Sequence, residues 1–382
     1  MWMPRAIPQA VEEALSESHS QRQSCRMYNV VRTSELRARG VQSRCIRDAK
    51  DCCLLALTQG MYSVIARCSN PRHGAIAEFI TDEAWMHRVV EQTDPESGRP
   101  RFELLDMFEK LRVASYPHYR FDDVIWGVSA AFVHDLPLHR PPRGKVFIAH
   151  PTRRHSSADV SRTSKTIPDE DVVRIGKMAL ASPIRTAFDL IGQLGEPEGF
   201  AVLESCLRRS VFGSDAGADA AARFGYPPDT LALAERRIAE DFLPVLGRLS
   251  KGQVRAQRLL SAIGPLSESY GESRFAYNLT QLRLTGFSQQ ARVWDGRAVI
   301  ARVDFLHRES RTIVLVDGFS KYADNGVRLM RKEVRQYNRL LELGYRIVRL
   351  NFTEVTHLEE CATKLLWQAP HLREFIAPRV RS

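Results

Sequence analysis

Between residues 31 and 64 the apolar positions change period twice. Leu36 stands in a short polar stretch that Thr33 or Ser34 is placed to cap, Gly40 ends that stretch, and Val41 is an apolar turn residue. Over residues 43–50, Cys45, Ile46 and Ala49 share one face of a predicted helix, while Arg44, Arg47, Asp48 and Lys50 take the other. Two apolar runs, 53–57 and 61–64, then flank Thr58–Gln59–Gly60 and predict a hairpin. Further on, the pattern predicts helices over 102–113 and 125–138 and a strand over 145–150. It also predicts a helix over 182–190, with Ser182 as cap and Pro183 at its first position.

The last hundred residues carry the densest pattern. Phe275, Leu279 and Leu282 predict a helix over 272–284 that Gly286 ends, and strands over 288–293 and 299–306 flank an Asp295–Gly296 turn. The apolar run 311–316 suits a strand at the centre of a sheet. Val327, Met330, Val334, Tyr337 and Leu341 recur at threes and fours, so an amphipathic helix is expected, with Arg328, Arg331, Lys332, Arg335 and Arg339 on its polar face. A strand over 346–350 and a helix over 354–367 complete the set. The fold class expected is multidomain α+β. A tail or polar helix spans 1–24, a helical module with its hairpin 25–66, and an α+β region 67–250, with an insertion near 75–118. An α/β domain follows over 265–382.

A chain of 382 residues has room for two or three such domains. Its net charge of +10 is concentrated: residues 251–382 hold 22 basic against 13 acidic side chains, and residues 25–66 hold 7 against 3. Surfaces of that sign attract phosphate polyanions. No apolar run approaches the length of a membrane span, and the first 23 residues resemble neither a secretory leader nor a transit peptide, so a cytoplasmic protein without a membrane partner is expected. Seven cysteines without a CxxC pair give a zinc site no support from spacing, and His134, His139, His150 and His155 lack carboxylate partners at ligand spacing. No P-loop, GxGxxG or GxSxG is present.

Two resemblances carry the functional expectation. Gly40–Val41, Arg44–Ile46–Arg47 and Gly60–Met61–Tyr62, in that order, resemble the winged helix-turn-helix of AbiEi-type antitoxins; Ser129–Ala130–Ala131, Leu136–Pro137–Leu138 and residues 182–190 are similar to the region that follows it in that family. Gly271–Glu272–Ser273–Arg274, Arg302–Val303–Asp304, Asp317–Gly318 with Tyr322, and Leu343–Gly344–Tyr345–Arg346 resemble a Vsr-like domain of the PD-(D/E)xK endonuclease fold, in the order αβββαβ. The first resemblance implies a DNA-reading helix presenting Ser43, Arg44, Arg47 and Lys50. The second implies an Mg2+ site built on Asp304 and Asp317, with Glu272 as a third oxygen, Lys321 near a phosphate, and Arg328, Lys332, Arg335 and Arg339 on DNA. In that family's E-x-D-G string this chain reads Leu315–Val316–Asp317–Gly318, so an isobutyl group stands where a metal ligand belongs. The expected function is therefore a DNA-binding regulator or antitoxin-like protein with an inactive nuclease fold. The alternatives are an Mg2+-dependent endonuclease that tolerates Leu315, and a module that neutralises a cognate toxin.

Overall fold

Residues 27–317 and 327–378 are described by the structure, a computed structural model, and the chain divides into two units, Met1–Asp189 and Leu190–Ser382. The expected tail at 1–24 lies outside the described residues. The expected boundary between 250 and 265 falls inside the second unit.

The first unit begins with strand β1 (Val30–Arg32), helix α1 (Thr33–Ala38), helix α2 (Ser43–Ala49) and strands β2 (Leu54–Thr58) and β3 (Met61–Val64), in an antiparallel sheet of order β1-β3-β2. Gly40, at φ 78°, makes the turn between the helices in a conformation that side chains with a Cβ avoid. Thr33 is not the cap expected of it: β1 runs straight into α1, Thr33 is the first helical residue, and its N–H donates to the Gly60 carbonyl at 2.9 Å. The Arg32 N–H left over is accepted by Glu35 at 2.7 Å. Val31, Leu36, Val41, Ile46, Leu54 and Val64 bury together beneath Ile76 and Phe79.

Residues 67–118 contain helices α3 (Glu83–Glu91) and α4 (Phe102–Ala114). Both grip the small sheet. Trp85 is buried edge-on to Tyr28 and Phe108, and its indole N–H donates to Ser63 Oγ at 3.0 Å. Arg112 donates to the carbonyls of Ala56 and Leu57, which occupies acceptors on the outer strand β2 that would otherwise be open for pairing.

Beyond them lies a six-stranded sheet: β4 (Val124–Ile125), β5 (Val146–His150), β6 (His155–Ser156), β7 (Val160–Ser164), β8 (Val172–Ile175) and β9 (Met178–Ala181), in the order β6-β7-β5-β4-β9-β8. The helix expected over 125–138 shortens to α5 (Gly127–Val133), because Ile125 pairs with both Ile148 and Leu180 and so belongs to the sheet. Helix α6 (Pro183–Gln193) begins as expected, with Ser182 Oγ accepting the Arg185 N–H at 3.2 Å. Its Arg185 is 2% exposed and donates to Asp171 at 2.9 Å and Asp189 at 3.2 Å, while Lys165 donates to Asp189 at 2.6 Å. The polar positions of this motif form a buried ionic knot.

In the second unit, helix α7 (Glu196–Phe212) packs on helix α8 (Tyr270–Leu282). Strands β10 (Phe287–Asp295), β11 (Ala298–His307) and β12 (Thr312–Asp317) are antiparallel neighbours; helix α9 (Val327–Glu342) leads to β13 (Arg346–Asn351), which pairs parallel with β12. Val314 and Val316 of β12 pack with Phe275 of α8, whereas Ile313 and Leu315 pack with Leu340 of α9. Both faces are covered, which is why the run is apolar throughout. The side chains of Val327 and Met330 lie outside the described residues; among the side chains described on α9, Leu340 is buried, Val334 and Leu341 of the expected face are 55% and 45% exposed, and Gln336 Nε2 donates to the Ile300 carbonyl at 2.9 Å. The last predicted helix is two, α10 (Phe352–Thr356) and α11 (Leu358–Gln368), broken at His357 with φ −115° and ψ 108°. The chain is thus a mixed α+β protein with three sheets among its described residues.

Candidate functional site

On α2 the inward and outward positions separate by helical period. Ile46 and Ala49 are buried, and Ser43, Arg44, Arg47 and Lys50 are exposed along one face. Neither Arg44 nor Arg47 forms an ion pair with a described residue. Arg37 donates to Ser43 Oγ at 3.2 Å, and Lys50 Nζ lies 5.5 Å from the Tyr62 ring centroid. Arg39, at the end of α1, is engaged by Glu78 at 2.7 Å. A second group of cations was expected on α9. Arg335 and Arg339 are both exposed there, and Arg339 is held by Asp295 at 2.6 Å and Glu342 at 2.8 Å. Lys321 and the side chains of Arg328 and Lys332 lie outside the described residues.

The acidic residues group around the start of α8. Ser269 caps the helix: its Oγ accepts the Glu272 N–H at 3.2 Å and donates to Glu272 Oε1 at 3.0 Å. The Glu268 N–H and Gln290 Nε2 donate to Glu272 Oε2 at 3.0 and 2.7 Å. Those donors favour the carboxylate, yet burial, with the negative charge of Asp304 second, pushes Glu272 up to about 7. Glu204 of α7 is fully enclosed, accepts the Gly264 N–H at 3.0 Å, and is likewise pushed up to about 7 by burial. Pairing between β11 and β12 stops at Phe305–Val314, and Asp304 Oδ2 takes the next place in the ladder by accepting the Val316 N–H at 2.8 Å.

Asp317 turns to Arg349 on β13, which donates to it from Nε at 3.0 Å and Nη2 at 2.6 Å. Leu315 lies against the apolar cluster of Val293, Val303 and Leu306. Glu272 and Asp304 are therefore electrostatic neighbours, while Asp317 is neutralised by an arginine. Among the described residues, these three carboxylates do not form a group of ligand atoms at metal-binding distance.

A different group does. Cys52, Cys53, Cys68 and His73 bring their three sulfurs and Nδ1 within 4.8 Å of one another, with Cys53 and His73 buried. The absence of CxxC spacing is thus no obstacle: strands β2 and β3 fold back between Cys53 and Cys68 and join the two ends, with the Ile65 N–H donating to the Cys53 carbonyl at 2.9 Å. The signal was a Cys-Cys pair, a hairpin, then Cys-x4-His. His134 and His150 have structural partners, the Ala181 carbonyl at 2.8 Å for the first and the N–H groups of Thr152 and Arg153 for the second.

Comparisons with protein families, curated proteins and solved structures find no match to this chain.

Proposed function

We propose that this chain is a DNA-binding regulator or antitoxin-like protein, reading duplex DNA with α2 of a winged helix-turn-helix and carrying a nuclease-like fold without turnover. The observation that carries the reading is the exposed row Ser43, Arg44, Arg47 and Lys50 on a helix anchored from behind by Ile46 and Ala49. A helix of this width fits the major groove, where guanidinium groups meet phosphates and base edges. Two features support the lack of turnover: Leu315 occupies an apolar cluster, and Arg349 occupies Asp317. A cognate toxin is the second partner in this reading, through the same resemblance.

The test is duplex binding by the full chain across a salt series. Replacing Arg44 and Arg47 with Ala is expected to weaken binding at least about tenfold and to lower the slope of log K against log salt by roughly one for each lost phosphate contact. An unchanged slope would remove α2 as the reader. One observation favours the endonuclease reading instead, the proximity of Asp304 to Glu272. Plasmid nicking with Mg2+ or Mn2+ separates the two readings. Cleavage that disappears in Asp304→Asn would replace the regulator by an enzyme.

A further inference from the structure

We infer that Cys52, Cys53, Cys68 and His73 bind one Zn2+ ion in a closed structural site. The inference stands apart from the DNA-binding reading, because it rests on the internal geometry of these four side chains alone.

The distances are those of a tetrahedron's edges. Zinc–sulfur bonds of about 2.3 Å and zinc–nitrogen bonds of about 2.0–2.1 Å, at tetrahedral angles, separate two sulfurs by about 3.8 Å and a sulfur from a nitrogen by about 3.5 Å. Cys52 Sγ lies 3.7 Å from Cys53 Sγ and 3.6 Å from Cys68 Sγ. His73 Nδ1 lies 3.4, 3.8 and 3.4 Å from the sulfurs of Cys52, Cys53 and Cys68. No pair is a disulfide, which would bring sulfurs to about 2.05 Å. Hydrogen bonding alone is a poor account, since three thiol protons cannot serve all of these approaches together.

Donor chemistry selects the metal. Three thiolates and an imidazole suit a borderline-soft ion without geometric preference, and four protein donors leave no open position for a substrate. Edges this short enclose a single ion, not an iron–sulfur cluster. The placement gives the ion a task. Cys52 and Cys53 follow the end of α2 and precede β2, whereas Cys68 and His73 follow β3. Asn70 orients the histidine: its Oδ1 accepts the Arg72 N–H at 3.0 Å and its carbonyl accepts the His73 N–H at 2.9 Å. The ion would clip the end of α2 and both open ends of the hairpin to the segment carrying Ile76 and Phe79, which close the small core. In modules with so little to bury, metal binding supplies folding free energy.

The experiment uses the full chain purified under reducing conditions, with elemental analysis and Co2+ substitution. About one zinc per chain is expected, and Co2+ should give intense tetrahedral d–d bands with thiolate-to-cobalt charge transfer. Cys68→Ser and His73→Ala should each weaken Zn2+ binding at least about tenfold, while Cys45→Ser and Cys361→Ser keep full stoichiometry. A strong chelator should lower the melting temperature of the native chain by more than that of Cys68→Ser. Should the variants fail to fold, the Co2+ spectrum of the native chain decides alone. A folded, reduced chain that takes up neither ion overturns the inference. So does a cobalt spectrum without thiolate charge transfer, an unchanged Zn2+ affinity in Cys68→Ser and His73→Ala, or a metal-free chain with a Cys52–Cys68 disulfide.

Discussion

Glu272 illustrates how one residue can be legible in kind and misjudged in surroundings. Its position on the first helix of the C-terminal domain was readable from the sequence; its approach to Asp304 and its burial were not, because they depend on Ser269, Gln290 and β11. A carboxyl whose folded-state value is raised to about 7 holds its proton longer in the folded chain than in the unfolded one. Stability from this source is complete below the ordinary value near 4.5 and is lost as pH rises through about 7. Glu272→Gln, which keeps the shape and cannot ionise, should remove that part of the decline. Relative to the native chain, its melting temperature is expected to gain roughly 5 °C between pH 4.5 and 7.5. A constant difference between the two proteins across that range would show that Glu272 titrates normally.

Elements were read best where a single chain segment carries its own signal. Helix α2, the β2–β3 hairpin, β12 and β13 follow from local period and turn residues, since each pattern needs only neighbours in sequence. The motif at 182–190 shows the limit of that method. Ser182 and Pro183 announce the helix, but the role of Arg185 depends on Asp171, which arrives from elsewhere in the chain. Removing one partner of a buried ionic group strands the others without water. Arg185→Ala should therefore destabilise the first unit by about 3–5 kcal/mol, measurable by urea unfolding followed through its tryptophans. A cost below about 1 kcal/mol would mean that Asp171 and Asp189 find other partners.

Over the whole molecule the basic excess sits in two stretches of sequence, and the folded chain treats them differently. Arg44 and Arg47 form no ion pair with a described residue, whereas Arg339 is held by Asp295 and Glu342. If both stretches bind DNA, the Arg44/Arg47 double variant should keep a residual affinity that still falls with salt, by a slope of roughly one or two. Adding Arg339→Ala should change that residual slope little, because its guanidinium is already held by Asp295 and Glu342. A marked further drop in slope would contradict the pairing seen for Arg339. No helix among the described residues is long and apolar enough to cross a membrane, so no helical membrane span among them competes for these cations.

By itself the sequence determined the order of elements over residues 33–64 and 272–351, the apolar strand β12, the outward row on α2 and the glycine-bearing turns, because periodicity and backbone sterics act over a few residues. Tertiary structure decided everything that required distant residues to meet. It buried Leu340 of α9 and left Leu341 exposed, split the last helix and handed Asp317 to Arg349. It also brought Cys52, Cys53, Cys68 and His73 together across a hairpin. A ligand set has no period of its own; its donors are joined by whichever strand folds back between them, and only the folded chain shows the distance.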